Sequence, residues 1–240
     1  MTGGRPVRIG IAGWGLRREL SDRFGDGASQ LARYATRFNC VEINSCFYRP
    51  HRPATYARWA DSVPDRFRFA VKMPRAITHE ARLHECAVPL REFLDQTASL
   101  GEKRGPVLVQ LPPSLGFDPD RADQFLDLLR ARHTGAVVCE PRHPSWFTEP
   151  ADLLLRRYQV ARVAADPAPV PAASVPGAWD GMHYHRLHGS PRTYYSPYGP
   201  ERLAAFAASL PATTAAWVIL DNTALGEAIR DALWLRDRLG

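Results

Sequence analysis

The sequence predicts a single (β/α)₈ TIM barrel spanning residues 1–240, and three observations carry that expectation. Short β-branched runs alternate with helical periods along the whole chain, a pattern that gives parallel strands joined by right-handed crossovers. The chain has 240 residues, a length that α/β barrels commonly fold as one unit. Polar and ionisable residues collect at the ends of nearly every β-type run, and the C-terminal strand ends of a barrel form its functional face.

In order, the β-type runs are Val7–Ala12, Cys40–Asn44, Phe67–Lys72, Val107–Leu111, Ala136–Glu140, Val160–Ala165, Met182–His188 and Ala216–Asp221. Helical periods fall between them at 28–38, 54–61, 88–102, 121–130, 151–158, 201–209 and 225–239. Asp118-Pro119, Pro200-Glu201 and Thr223 read as helix starts, because proline fits the first turn and a short polar side chain caps it. The Pro- and Ala-rich stretch 166–181 lacks periodicity and reads as a long loop after the sixth strand. An open doubly wound sheet is the alternative, but it normally uses fewer strands. Gly10, Gly13 and Gly15 miss the G-x-G-x-x-G spacing of a dinucleotide loop, so no such cofactor is expected.

Composition narrows the function classes. The hydrophobic fraction is 45% and the charged fraction 23%, ordinary for a globular protein. No apolar run is long enough for a leader or a membrane span, which makes a cytoplasmic protein with no membrane partner the expectation. Cys40, Cys46, Cys86 and Cys139 have no metal-site spacing and read as reduced, partly buried thiols. The net charge of +6 permits an anionic partner. Of 31 basic residues only Lys72 and Lys103 are lysines. A lysine at a strand end in so arginine-rich a chain is notable, because lysine loses its proton far more readily than arginine.

Period-two reading of the strands assembles a site. Glu42 and Asn44 share a face of the second strand. The third ends at Lys72, the fourth at Gln110, the fifth at Glu140 and the sixth at Asp166. The seventh sets Tyr184, Arg186 and His188 on one face, and the eighth ends at Asp221-Asn222-Thr223. Glu42, Lys72, Glu140, Asp166 and His188 are the expected catalytic groups. Trp14, Asn44, Tyr48, Arg75, His79, Gln110, Arg142, His143, Trp146, Arg186 and Asn222 are the expected substrate contacts. Buried charges are costly unless paired, so the accumulation points to a site. Within Val137–Trp146, Glu140 reads as the catalytic residue and Arg142 as an anion contact, with His143 either a contact or a brace between two prolines.

Three chemistries compete. The first is metal-independent acid/base catalysis by Glu140 or Glu42 on a small anionic, phosphorylated or sugar-like compound, with cationic groups holding the anion. Lys72 as a Schiff-base nucleophile is a variant of it. The second is a divalent-metal centre from Glu42, Glu140, Asp166 and His188, opposed by neighbouring Lys72, Arg142 and Arg186. The third is a nucleic-acid surface built from Arg49, Arg52, Arg75, Arg142 and Arg192 with interleaved aromatics; a solvated, genome-wide arginine bias accounts for these residues more simply. No metal or cofactor is expected, and the oligomeric state is open.

The motifs G-W at 13–14, V-E-I-N-S-C-F-Y-R at 41–49, F-R-F-A-V-K at 67–72, I-T-H-E at 77–80 and Q-L-P-P-S at 110–114 form an ordered series. E-P-R-H-P-S-W-F at 140–147, R-L-H-G at 186–189 and D-N-T at 221–223 continue it. This series resembles the YecE-like family of domain-of-unknown-function proteins over nearly the whole chain. The resemblance implies a TIM barrel, loosely akin to sugar-isomerase-like and endonuclease-type barrels, without an assigned reaction. The chain departs from the family pattern in its short first loop, G-L-R-R-E-L. It also departs at Pro141, at Asp221 where asparagine is typical, and at Asp231 in the last helix.

Overall fold

The computed structural model describes residues 7–239; residues 1–6, part of the stretch read for a leader, lie outside them. Ten strands are present: β1 (Val7–Ile11), β2 (Cys40–Ile43), β3 (Arg68–Lys72), β4 (Arg104–Gln110), β5 (Val137–Glu140), β6 (Val160–Arg162), β7 (Ala164–Asp166), β8 (Gly177–Ala178), β9 (His183–Leu187) and β10 (Ala216–Leu220). Eight helices accompany them: α1 (Gln30–Tyr34), α2 (Ser45–Tyr48), α3 (Pro53–Asp61), α4 (Ala87–Ala98), α5 (Pro119–Arg130), α6 (Glu149–Arg157), α7 (Gly199–Ser209) and α8 (Glu227–Leu239).

Hydrogen bonding orders the strands as β1-β10-β9-β7 and β2-β3-β4-β5-β6-β8. Every pairing is parallel except the short β8, which runs antiparallel to β6. The two sheets meet at two places. Only Val163 separates β6 from β7, so the stretch 160–166 pairs with β5 through its first half and with β9 through its second. On the other side, Ala12 bridges Glu42, and the Gly13 amide donates to the Glu42 carbonyl at 2.9 Å. Eight strand positions therefore follow one another around a ring, in the order expected of a (β/α)₈ barrel.

Side chains divide as the two-residue period requires. Val137 and Cys139 of β5 face the helices, while Val138 packs with Ala70, Leu108, Ala161, Tyr184, Trp217 and Ile219 in a separate apolar cluster within the ring. Glu140 continues the inward series one step above Val138. Tyr34 of α1 helps close the ring: its hydroxyl accepts from the Ile11 amide and donates to the Cys40 carbonyl. Gly10 is required where β1 and β2 approach, since a Cβ there would drive into the Cys40 carbonyl.

The helix starts follow local chemistry. Asp118 accepts from the Arg121 amide and Pro119 occupies the first turn of α5. Three features depart from the expectation. The last helix begins at Glu227 and not at Thr223, after a turn at 223–226. The long loop contains β8 and a 3₁₀ turn at Pro171–Ser174, tied down by Arg162, which donates to the Ala172 carbonyl. A short helix, α2, follows β2 directly, and a π-helical turn occupies Ala76–Glu80 after β3. All four cysteines are free and buried.

Candidate active site

At the C-terminal ends of the strands the inward series becomes polar, with Glu42, Lys72, Gln110, Glu140, Arg186, His188 and Asp221 in successive positions around the ring. Arg186 is its centre and is fully buried. Its Nε and Nη2 donate to Glu42 at 3.1 and 2.8 Å, its Nη1 donates to Glu140 Oε2, and its Nη2 also reaches Asp221 at 3.0 Å. Tyr184, two residues earlier on β9, donates its hydroxyl to Glu42 at 2.8 Å. Two residues later, His188 sets Nδ1 at 3.0 Å from Asp221 and Nε2 at 3.1 Å from Glu140. Arg142 completes the shell, its Nε and Nη2 donating to Glu140 Oε1 at 3.2 and 3.1 Å.

The protonation states follow from these contacts. Burial alone would raise the Glu140 carboxyl, but Arg186, His188 and Arg142 overcome it and hold Glu140 well below the carboxylate range. Asp221 is likewise held low against its burial by Arg186 and His188. His188 is pushed up despite burial, chiefly by Glu140. Both its nitrogens face carboxylates, and an imidazole donates from both only when protonated. Three anions (Glu42, Glu140 and Asp221) are thus matched by three cations (Arg186, Arg142 and His188).

Lys72 is the surplus charge. Its ammonium lies 4.0 Å from the centroid of the Phe47 ring, and among the described residues it forms no ion pair and no hydrogen bond. Burial lowers its pKa from 10.5 to about 8, helped by Arg186 and opposed by the three carboxylates. His79 meets the edge of the same Phe47 ring at 5.0 Å. Burial and the charges of Lys72, Arg75 and Arg142 hold its imidazole low. Asn44 follows Glu42 at the mouth, and its Oδ1 is buried with no partner among the described residues.

Of the expected catalytic groups, four converge: Glu42, Lys72, Glu140 and His188. Asp166 does not. It ends β7 on the helix side and pairs with Arg202 of α7 at 3.0 Å. Ala161 and Val163 lie on the inner face, so the two-residue period puts Ala165, not Asp166, there. Among the expected contacts, Arg142, Arg186, Gln110, Asn44 and His79 sit at or beside the cluster, with Gln110 in register with Glu140.

The rest lie elsewhere. Trp146 is buried outside the ring, donating its indole N–H to the Leu115 carbonyl. His143 braces the turn, accepting from the Ser145 amide. Trp14 packs edge-on against Trp59 at 4.9 Å. Tyr48 is 74% exposed, and Arg75 pairs with Glu80. Asn222 is a structural tie, donating to the Ser196 carbonyl and to Asp231. Tyr198 gives its backbone amide to the same Asp231 carboxylate. Asp231 thus ties the end of β10 to the start of α7. Asp221 and Tyr184 are the site members that the motif reading left out of its site. The signal was present in the period-two reading, which put Tyr184 on the face of Arg186.

The metal reading lacks its ligand set. Asp166 points away, Glu42 and Glu140 are turned onto Arg186, and both nitrogens of His188 are taken by Glu140 and Asp221. Among the described residues no three His, Cys, Asp or Glu side chains are grouped to hold an ion.

Comparison with known proteins agrees with this architecture. The chain is 36% identical over 153 residues to UPF0759 protein YecE of Escherichia coli (strain K12), covering 61% of the chain and 56% of that protein. It is 26% identical over 152 residues to UPF0759 protein YunF of Bacillus subtilis (strain 168), covering 60% and 53%. These alignments span about half the length of the curated relatives. A DUF72 family protein of Enterococcus faecalis V583 superposes with TM-score 0.81 at 20% identity over 98% of this chain and 95% of its own. One from Thermotoga maritima MSB8 gives 0.77 at 22% identity over 97% and 98%. At those identities the likeness speaks for the fold alone. The profile described as "Protein of unknown function DUF72" matches residues 8–240, and with the ordered strand-end motifs and the barrel topology it establishes that the chain belongs to the DUF72 family.

Proposed function

We propose that the C-terminal face of the barrel is the active site of a metal-independent enzyme acting on a small anionic compound, phosphorylated or sugar-like. The observation that carries this reading is the charge balance. Three carboxylates are consumed by Arg186, Arg142 and His188, and Lys72 is left as an unmatched ammonium at the mouth. A partly buried cation without a counter-ion is stabilised by a ligand that brings one. Arg142 keeps part of its guanidinium in solvent and supplies a second contact for the anion.

The division of labour differs from a pair of free carboxylates. A base must be poised near the working pH, and Glu140, ionised and bonded by three cations, is far from that condition. We assign Glu140, Glu42 and Asp221 the task of fixing Arg186 and His188, and Lys72 the reacting role, since burial lowers its amine to about 8. Nucleic acid is the lesser reading: Arg75 pairs with Glu80, Arg142 with Glu140, and Arg192 lies on Tyr195 at 3.9 Å.

Thermal unfolding in the presence of sugar phosphates, inorganic phosphate and short oligonucleotides, each with and without EDTA, tests the reading. A rise in Tm with a sugar phosphate that survives EDTA and disappears in Lys72→Met is expected. A rise abolished by EDTA, or one produced only by oligonucleotides, overturns it.

A further inference from the structure

Resting on the reading above, we propose that Lys72 forms a protonated imine with its substrate, so that the ligand class is an anionic carbonyl compound such as a 2-oxo acid or a phosphorylated aldehyde or ketone. Three features of the geometry support this. First, the amine is free to react. Among the described residues Lys72 Nζ donates to no side chain and no carbonyl, and the Phe47 face beneath it offers only a ring. Secondly, the amine sits within a built polar site: buried Arg186, whose positive charge disfavours a second one, stands beside it on the inner face. Thirdly, Lys103 provides the contrast within the same molecule. Its ammonium donates to the Ala60 and Val63 carbonyls at 2.8 and 2.7 Å and pairs with Asp65 at 3.5 Å. One lysine is held as a structural cation and the other is left uncommitted.

The step balances without an added reagent. The neutral Nζ lone pair adds to the carbonyl carbon, and the carbonyl π pair moves to oxygen, which takes up a proton to give a carbinolamine. The C–O bond then breaks, and the hydroxyl leaves as water with a second proton. Both protons are those that the ammonium gave up. Overall, R₂C=O and Lys–NH₃⁺ become R₂C=NH⁺–Lys and H₂O, so the positive charge that faces the three carboxylates is conserved. The lowering of the amine from 10.5 to about 8 multiplies the reactive neutral form at pH 7 by about 300-fold over an ordinary lysine. Arg142, part-exposed at the same mouth, holds the anionic group of the substrate, and the unpartnered Asn44 Oδ1 is available to a substrate hydroxyl.

Reductive trapping tests the inference. The purified full chain is incubated at pH 7 to 8 with pyridoxal 5′-phosphate, and separately with pyruvate or dihydroxyacetone phosphate. Each mixture is reduced with borohydride and mapped by peptide mass spectrometry. A reduced adduct on Lys72 at least 10-fold above Lys103 is expected. It should be absent in Lys72→Arg, which keeps the charge and cannot form an imine, and Lys72→Met provides a second non-reacting variant should either fold poorly. Arg142→Ala should lower the yield with pyridoxal 5′-phosphate several-fold more than with uncharged pyridoxal. Equal labelling of Lys72 and Lys103, or no adduct with any of the three compounds, overturns the imine. Glycerol 3-phosphate, which has no carbonyl, separates the two proposals. If it raises Tm while no adduct forms, the imine fails and the anion site stands. If it neither raises Tm nor competes with labelling, and no adduct forms, both fail.

Discussion

Arg186 decides the character of this site at the level of single residues. A guanidinium at the axis of a barrel is costly to bury, and the cost is offset only because Glu42, Glu140 and Asp221 accept from it in a fixed fork geometry. Replacing it leaves three buried carboxylates without their cation. Arg186→Met is therefore expected to lose about 3–5 kcal/mol of stability, read as a fall in the urea midpoint; a variant as stable as the parent would mean that the carboxylates are not charged. The pH dependence has a definite sign. Glu140 and Asp221 are depressed on folding, so they stabilise the native state above their ordinary values of 4.5 and 3.8 and lose that contribution as pH falls through the folded values. His188 is raised on folding, so its contribution is complete below 6.5 and is lost as pH rises through the folded value. The urea midpoint should fall on the acid side and again above pH 6.5. His188→Gln should remove the second fall and leave the first, and an unchanged alkaline limb would assign that fall to another group.

The elements explain why chemically similar strand-end residues have different roles. Asp166 and Glu140 both stand at strand ends, yet with Ala161 and Val163 on the inner face strand parity turns Asp166 outward onto Arg202, where both partners are substantially exposed. Such a pair contributes at most about 1 kcal/mol, so Asp166→Asn should leave both stability and Lys72 labelling nearly unchanged. A loss of labelling would return Asp166 to the site. Trp146 belongs to the packing between β-strands and helices, with its N–H satisfied by Leu115. Trp146→Ala should cost about 3–5 kcal/mol, measured by denaturation, while ligand-induced shifts in Tm persist at lower temperature. In β1, Gly10 has no room for a methyl against the Cys40 carbonyl, so Gly10→Ala should destabilise through the β1–β2 seam.

Over the whole molecule, the first and last strands pair with each other, and the stretch 160–166 runs from one sheet into the next. Neither sheet can be removed without opening the ring. Urea unfolding followed by tryptophan fluorescence and by far-ultraviolet circular dichroism should therefore give coincident curves with one transition, whereas two separated transitions would divide the chain into independent units. Much of this plan was legible in the sequence. The alternation of periods gave eight strand positions near their observed places, and β-strand parity brought Glu42, Lys72, Glu140, Arg186 and His188 to one face. Those properties are local, set by two-residue and 3.6-residue repeats.

What the amino-acid order alone determined was therefore the repeat, the end of the barrel that carries the polar groups, and the single strand-end lysine. What only the tertiary structure decided was which charge answers which. Arg186 meets Glu42 from 144 residues away and Glu140 from 46, contacts fixed by strand register and ring closure that no local pattern contains. That closure sets Glu42 and Glu140 against Arg186. It also commits Asp231 to Asn222 and Tyr198 and leaves Lys72, among the described residues, the one cation of the cluster without an anion, because three buried carboxylates can neutralise only three of the four positive charges gathered there.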